Sequence, residues 1–188
     1  MIATPDDYSW FSPERFPNLA DAYCFTYVRG LTPEEVVTRL GVRVEDCSRV
    51  TLDELIRRQT FGAVAVGDWV LLVEAYSGLG VTEEIIMPLL AGTRLVSHFY
   101  LDVDDMDYFH WIDDGKIQFM FRHHESYSEE MPDELAETME RIGSTYPPHT
   151  DPRKGPAFLM AERLTGITMT PQLLEESTYL GGVVPGSR

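Results

Sequence analysis

Two apolar runs, residues 63–66 and 69–74, flank the dipeptide Gly67-Asp68, and neither run has the alternation of a half-solvated strand. Such runs around a Gly-Asp turn read as a β-hairpin buried on both faces. A hairpin of this kind belongs inside a sheet with flanking helices. Aromatic and β-branched side chains mark further strands at 22–29, 93–101, 107–113 and 116–122. The last two are joined by Asp113-Asp114-Gly115, where glycine accepts the positive φ of a tight turn. The sequence therefore predicts an α+β fold with a largely antiparallel sheet of about six strands, in an order left open.

Helix starts are equally readable. Thr32-Pro33-Glu34-Glu35 places a capping threonine, a proline at the first helical position and a glutamate that closes a capping box; Gly41 ends the helix. Thr51-Leu52-Asp53-Glu54 repeats the cap for a second helix, running to about Arg58. Thr82-Glu83-Glu84 opens a third toward Leu90, with Pro88 expected to bend it or end it early. Residues 129–142 and 157–164 read as helices, 147–156 as a proline-bearing loop, and Thr170-Pro171 as the start of a last short helix. In domain terms, 1–21 reads as an arm pinned by Trp10, Phe11 and Phe16, 22–176 as a single α+β domain, and 177–188 as a flexible tail.

The chain has 188 residues and a formal net charge of −16, from 15 basic and 31 acidic side chains. A chain of this length buries roughly 70% of its unfolded surface and needs no metal or disulfide to fold. So acidic a balance argues against direct binding of nucleic acid or of an anionic membrane. The two cysteines, Cys24 in a strand and Cys47 beside Glu45 and Asp46, demand no disulfide. The N-terminus lacks the pattern of a signal peptide, and the apolar runs are too short to span a bilayer, so the cytoplasm is the expected compartment.

Four constellations invite chemistry. If Leu101 pairs with Asp107, His98 faces His110 across the sheet, and if Asp113 pairs with Lys116, His110 also faces Phe119. A paired imidazole site of that kind can bind a metal or shuttle protons, but a one-residue slip puts the two rings on opposite faces. The weightier reading makes both core histidines. His123-His124-Glu125 resembles a metal cluster, yet neighbouring residues of an extended chain point to opposite faces. The loop carrying Asp102, Asp104, Asp105 and Asp107 offers methionine and aspartate where an EF-hand needs an oxygen ligand and glycine, so it reads as a solvated turn or a partner contact. Around Tyr76-Ser77-Gly78-Leu79-Gly80 there is neither a nucleophile elbow nor a complete dinucleotide loop. No cofactor and no metal are expected.

Val28-Arg29-Gly30-Leu31-Thr32-Pro33-Glu34-Glu35-Val36, Gly67-Asp68-Trp69 with Val73-Glu74, Gly92-Thr93, Phe109-x-Trp111 with Asp114-Gly115, and Ala161-Glu162-Arg163-Leu164-Thr165-Gly166 before Thr170-Pro171 occur in a familiar order. In these segments the chain resembles the actinobacterial family catalogued as domain of unknown function 6461, over roughly residues 10–175. The resemblance implies an intracellular single-domain protein and carries no catalytic or cofactor residues with it. By association with bacterial conflict genes it implies an immunity or inhibitor role. Within the matching segments, Arg29, Trp69 and Glu74 read as structural, with Arg29 pairing Glu74 or holding the helix that follows.

These readings converge on a non-enzymatic cytoplasmic protein that covers a basic surface of another protein, with Asp102, Asp104, Asp105 and Asp107 as the contact. Two other classes stand beside it. One is a small metal- or His-dependent enzyme using His98 and His110, and the other is an acidic DNA mimic. Oligomeric state is not legible.

Overall fold

Every threonine cap proposed for the first two helices is built as a reciprocal box. Thr32 Oγ1 accepts the Glu35 amide at 3.2 Å while the Glu35 carboxylate accepts the Thr32 amide at 2.8 Å. Thr51 and Glu54 do the same at 3.4 and 3.0 Å. Thr170 Oγ1 caps the Leu173 amide at 3.1 Å. Each bond satisfies an amide that a helix start leaves orphaned. These details come from a computed structural model, which describes residues 3–123, 126–128, 130–141 and 156–186. The 147–155 loop, His124 and Glu125 lie outside the described residues.

The helices are α1 (Pro33–Arg39), α2 (Leu52–Arg58), α3 (Glu83–Ile86), α4 (Asp133–Arg141), α5 (Pro156–Thr165) and α6 (Pro171–Glu176). Beyond α3 the chain tightens into a 3-10 turn, Met87–Leu89, at Pro88. The strands are β1 (Ala22–Arg29), β2 (Ser48–Val50), β3 (Phe61–Val66), β4 (Trp69–Ala75), β5 (Arg94–Leu101), β6 (Met106–Asp113), β7 (Lys116–Arg122), β8 (Ser126–Tyr127) and β9 (Tyr179–Gly182). They form one sheet in the order β2-β9-β3-β4-β1-β5-β6-β7-β8, with every neighbouring pair antiparallel.

The α+β class holds, but the count of about six strands is too low: among the described residues nine strands form this sheet. The additional three are β2, β8 and β9, of three, two and four residues, too short to show a period. The flexible tail expected over 177–188 is likewise corrected for its first part. Strand β9 lies inside the sheet between β2 and β3, with Tyr179 fully buried. Its glycines permit close approach, since a Cβ on Gly181 would stand 2.7 Å from Val50 Cγ2.

Alternation along β1 sorts the core into two layers. Tyr23, Phe25 and Tyr27 face Tyr8, Phe11 and Phe16 of the N-terminal segment, Leu55 of α2 and Phe158 of α5. Val28 on the other face joins Leu72, Leu95 and Ile112 beneath Val36 and Val37 of α1, with Ile86 and Leu89. The sheet is thus covered on both sides, which is why its central strands carry uninterrupted apolar runs.

Candidate functional site

The β5–β6 hairpin turns one residue tighter than the sequence suggests. Asp102–Asp104 forms a 3-10 turn and Asp105 takes a left-handed conformation at φ 50°. Leu101 therefore pairs with Met106, which sets His98 against Phe109 and Ser97 against His110. The two histidines point to opposite faces, so the paired imidazole site does not form. In the next hairpin Asp113 does pair with Lys116, but an irregularity at Trp111/Ile112 moves His110 opposite Met120 instead of Phe119.

His98 is 1% exposed among aromatic rings, the nearest being Phe158 at 4.9 Å. Neither ring nitrogen has a hydrogen-bond partner among the described residues. Burial alone pushes its pKa down to about 3, so the ring is neutral. His110 Nε2 accepts the Arg122 Nε–H at 3.1 Å, and Arg122 also donates to the Val81 carbonyl at 3.0 Å. Burial, then the Arg122 charge, lowers His110 to about 4. Both rings are neutral near pH 7, and neither pKa is matched to proton transfer at that pH. Among the described residues no three His, Cys, Asp or Glu side chains gather as metal ligands.

Of the loop carboxylates, Asp102, Asp104 and Asp105 are exposed, while Asp107 is half-buried because it belongs to β6. The loop is tied down at both ends. The Asp102 amide donates to the Asp21 carbonyl at 2.9 Å, and the Tyr100 hydroxyl donates to Asp102 Oδ1 at 2.8 Å. Asp105 approaches His123 Nε2 at 3.6 Å. At its tip Val103 is 83% exposed.

Arg29 pairs with Asp68 at 2.8 Å and lies over the Trp69 ring, and does not meet Glu74. Register explains this: Arg29 is opposite Trp69, whereas Glu74 is opposite Cys24 at the far end of the same strand pair. Glu74 is 1% exposed and has a different role. Its carboxylate accepts the Leu79 and Gly80 amides at 2.9 and 3.3 Å, and so holds the 77–81 turn down on the sheet. Ser97 Oγ donates to the Gly80 carbonyl at 2.7 Å from the other side. Burial outweighs these hydrogen bonds and lifts the Glu74 pKa to about 7. Its folded value is thus above its unfolded one, so its contribution to stability is full below the unfolded value and is lost as pH rises through about 7. Between about pH 4.5 and pH 8 this one group is expected to remove ~3 kcal/mol from wild-type stability. Because His98 and His110 titrate in the opposite sense, the expected signature of Glu74→Gln in urea titrations is a steeper rise of stability from about pH 4.5 to pH 6.5 than in wild type; an unchanged rise would mean that Glu74 does not oppose them.

One feature of this region is not visible in the sequence. Left-handed backbone at three non-glycine residues, Asn18, Gln59 and Tyr76, converges on one end of the sheet. The Tyr76 hydroxyl donates to Asn18 Oδ1 at 2.9 Å, and Gln59 and Tyr76 form the ridge between two surface hollows. A bulky side chain in that conformation is uncommon and carries strain.

A nine-stranded antiparallel sheet covered on both faces, with a tethered acidic hairpin turn at one end, defines an α+β protein built around buried polar anchors. The chain belongs to the family of unknown function DUF6461, whose model matches residues 1–188. No curated protein and no solved structure matches it.

Proposed function

We propose that this protein is a non-enzymatic binding module that docks on a basic surface of a partner protein through the 101–107 turn, as an immunity or inhibitor protein does. One observation carries this reading: Val103, 83% exposed, projects between exposed carboxylates from a turn whose ends are hydrogen-bonded to the body. An apolar tip that becomes buried on contact supplies affinity, and the ring of charge steers encounter with a basic partner. A turn already ordered in the free protein gives up little entropy on binding. The net charge of −16 acts in the same direction at longer range. The cytoplasm is the compartment this reading assigns, supported by two cysteines that remain free, Cys24 and Cys47. Among the described residues no helix is long and apolar enough to cross a membrane.

The test separates the two parts of the contact. With the partner captured from native lysate and immobilised, replacing Asp102, Asp104, Asp105 and Asp107 together by Asn should slow association about tenfold at low salt, with little change in thermal stability. Val103→Ser should chiefly speed dissociation. Raising salt should erase the difference between wild type and the four-Asn variant, because the Debye length falls to about 3 Å at 1 M. Wild-type association by the four-Asn variant at low salt would remove this turn from the interface.

A further inference from the structure

The 77–81 turn covers Glu74 and forms a wall between the larger hollow and a third one. Ser77, Gly78 and Leu79 line the larger, about 1010 Å³ at the ends of β3, β4 and β9. Gly78 and Val81 line the third, about 400 Å³, which Phe99, Tyr108 and Arg122 border. Both ends of the turn are fixed. At its entry the Tyr76 amide donates to the Ala22 carbonyl and the Tyr76 hydroxyl to Asn18. At its exit the Thr82 carbonyl accepts the Ile85 and Ile86 amides of α3. Between these points Glu74, Ser97 and, at Val81, Arg122 hold it down.

The surroundings of Glu74 suit a neutral acid better than a charge. A nearly enclosed cavity of about 10 Å³, room for one water, adjoins the carboxyl. Gly80 and apolar side chains, among them Leu40, Leu72, Ile86 and Leu89, line the rest of it. Among the described residues no Lys, Arg or His forms an ion pair with Glu74. The titratable side chain that faces it is Cys24 of β1, whose thiol burial keeps neutral well above its ordinary range. Glu83 and Glu84 of α3 are exposed, on the rim of the third hollow. Ionisation therefore places a charge without a counter-ion beneath the turn.

We propose that Glu74 is a pH-operated latch: its neutral carboxyl keeps the 77–81 turn down, and its ionisation releases the turn and joins the two hollows. Release exchanges the Leu79 and Gly80 amides for water around the carboxylate. Burial sets this carboxyl at about 7, so the latch operates across the neutral range. In the open turn a hydrated carboxyl has its ordinary acidity and loses its proton first. Rising pH thus favours opening.

Amide hydrogen exchange in the full chain reads the latch directly. Corrected for the intrinsic rise of exchange with pH, the opening constants at Leu79 and Gly80 should increase at least about tenfold from pH 5 to pH 8. The Val73 amide inside β4 should not share that increase. Glu74→Gln keeps an acceptor but cannot ionise, so its two constants should be independent of pH. Ser97→Ala removes the tether on the Gly80 carbonyl without touching the charge. It should raise both constants at every pH and leave their pH dependence in place. Alkylation of Cys24 by iodoacetamide in the Cys47→Ser protein is a second readout, because Gly80 lies over the thiol: a Cβ there would stand 3.0 Å from Sγ. Its rate, relative to the unfolded chain at the same pH, should rise over the same range, and should not when Glu74→Gln is added. Level opening constants from pH 5 to pH 8, a level labelling ratio, or equal rises in Glu74→Gln would each overturn the proposal.

Discussion

Acidification from about pH 6.5 to about pH 4.5 is expected to lower the unfolding free energy by ~2 kcal/mol through three buried groups acting in opposite directions. His98 and His110 have folded pKa values of about 3 and 4, below the ordinary 6.5, because the interior penalises the imidazolium. The unfolded chain therefore binds protons that the folded chain refuses, and each histidine takes away about 2 kcal/mol over this window. Glu74 works the other way. Held at about 7 in the fold, it takes up its proton there before the unfolded chain does and returns about 2 kcal/mol over the same window. Urea unfolding followed across pH resolves the three. His98→Leu removes one titrating group and should halve the histidine share of the acid loss. It should also stabilise the protein at neutral pH by ~1–2 kcal/mol, since two unpartnered ring nitrogens no longer need burying. His110→Gln keeps an acceptor for Arg122 and should flatten the acid limb without a neutral gain. In Glu74→Gln the acid loss should roughly double, because its opponent is gone. Acid limbs of equal slope in wild type and His98→Leu would show that His98 is not the buried neutral group described.

Local rules carried most of this fold, and their failures have a common cause. Thr32, Thr51 and Thr170 are legible because a cap is decided within four residues, and β5 and β7 because seven or eight residues show a pattern. Strands β2, β8 and β9 are stabilised by their neighbours in the sheet rather than by their own composition, so nothing in their short sequences announces them. The β5–β6 register turned on whether one aspartate, Asp105, adopts left-handed backbone. Aspartate tolerates that conformation without requiring it, and on that choice depended whether His98 met His110. Glu74 is legible as more than a partner for Arg29: a carboxylate closing the run Trp69-Val70-Leu71-Leu72-Val73 on a strand buried on both faces has to be buried and hydrogen-bonded. The hollow was out of reach, because residues 58–61, 75–79 and 182–186 meet there only once the sheet is assembled.

Gly80→Ala should be among the most damaging single-methyl additions in the molecule. A Cβ at this position would stand 1.7 Å from Thr26 Oγ1 and 3.0 Å from Cys24 Sγ, so the turn or the sheet beneath it must move. Moving the turn breaks what holds it: the Gly80 amide is bonded to Glu74 and the Gly80 carbonyl to Ser97. Releasing the first leaves a buried carboxylate short of a donor, and releasing the second strands a buried serine hydroxyl. Overpacking plus at least one lost buried hydrogen bond sets the expected cost at about 3 kcal/mol. Gly92→Ala is the internal control, where the new methyl meets nothing within 4 Å and only the φ of +68° is strained. That substitution should cost about 1 kcal/mol, the ordinary cost of left-handed backbone. Clash and strain are then separated by a second-site change. Thr26→Ala removes the hydroxyl that the new methyl meets, so Gly80→Ala with Thr26→Ala should be more stable than Gly80→Ala alone, with a coupling above about 1 kcal/mol by urea unfolding. The same second change should do nothing for Gly92→Ala. Additive costs for Gly80→Ala and Thr26→Ala would mean that the 77–81 turn does not press on the sheet at Thr26, and that Glu74 and Ser97 do not anchor it there.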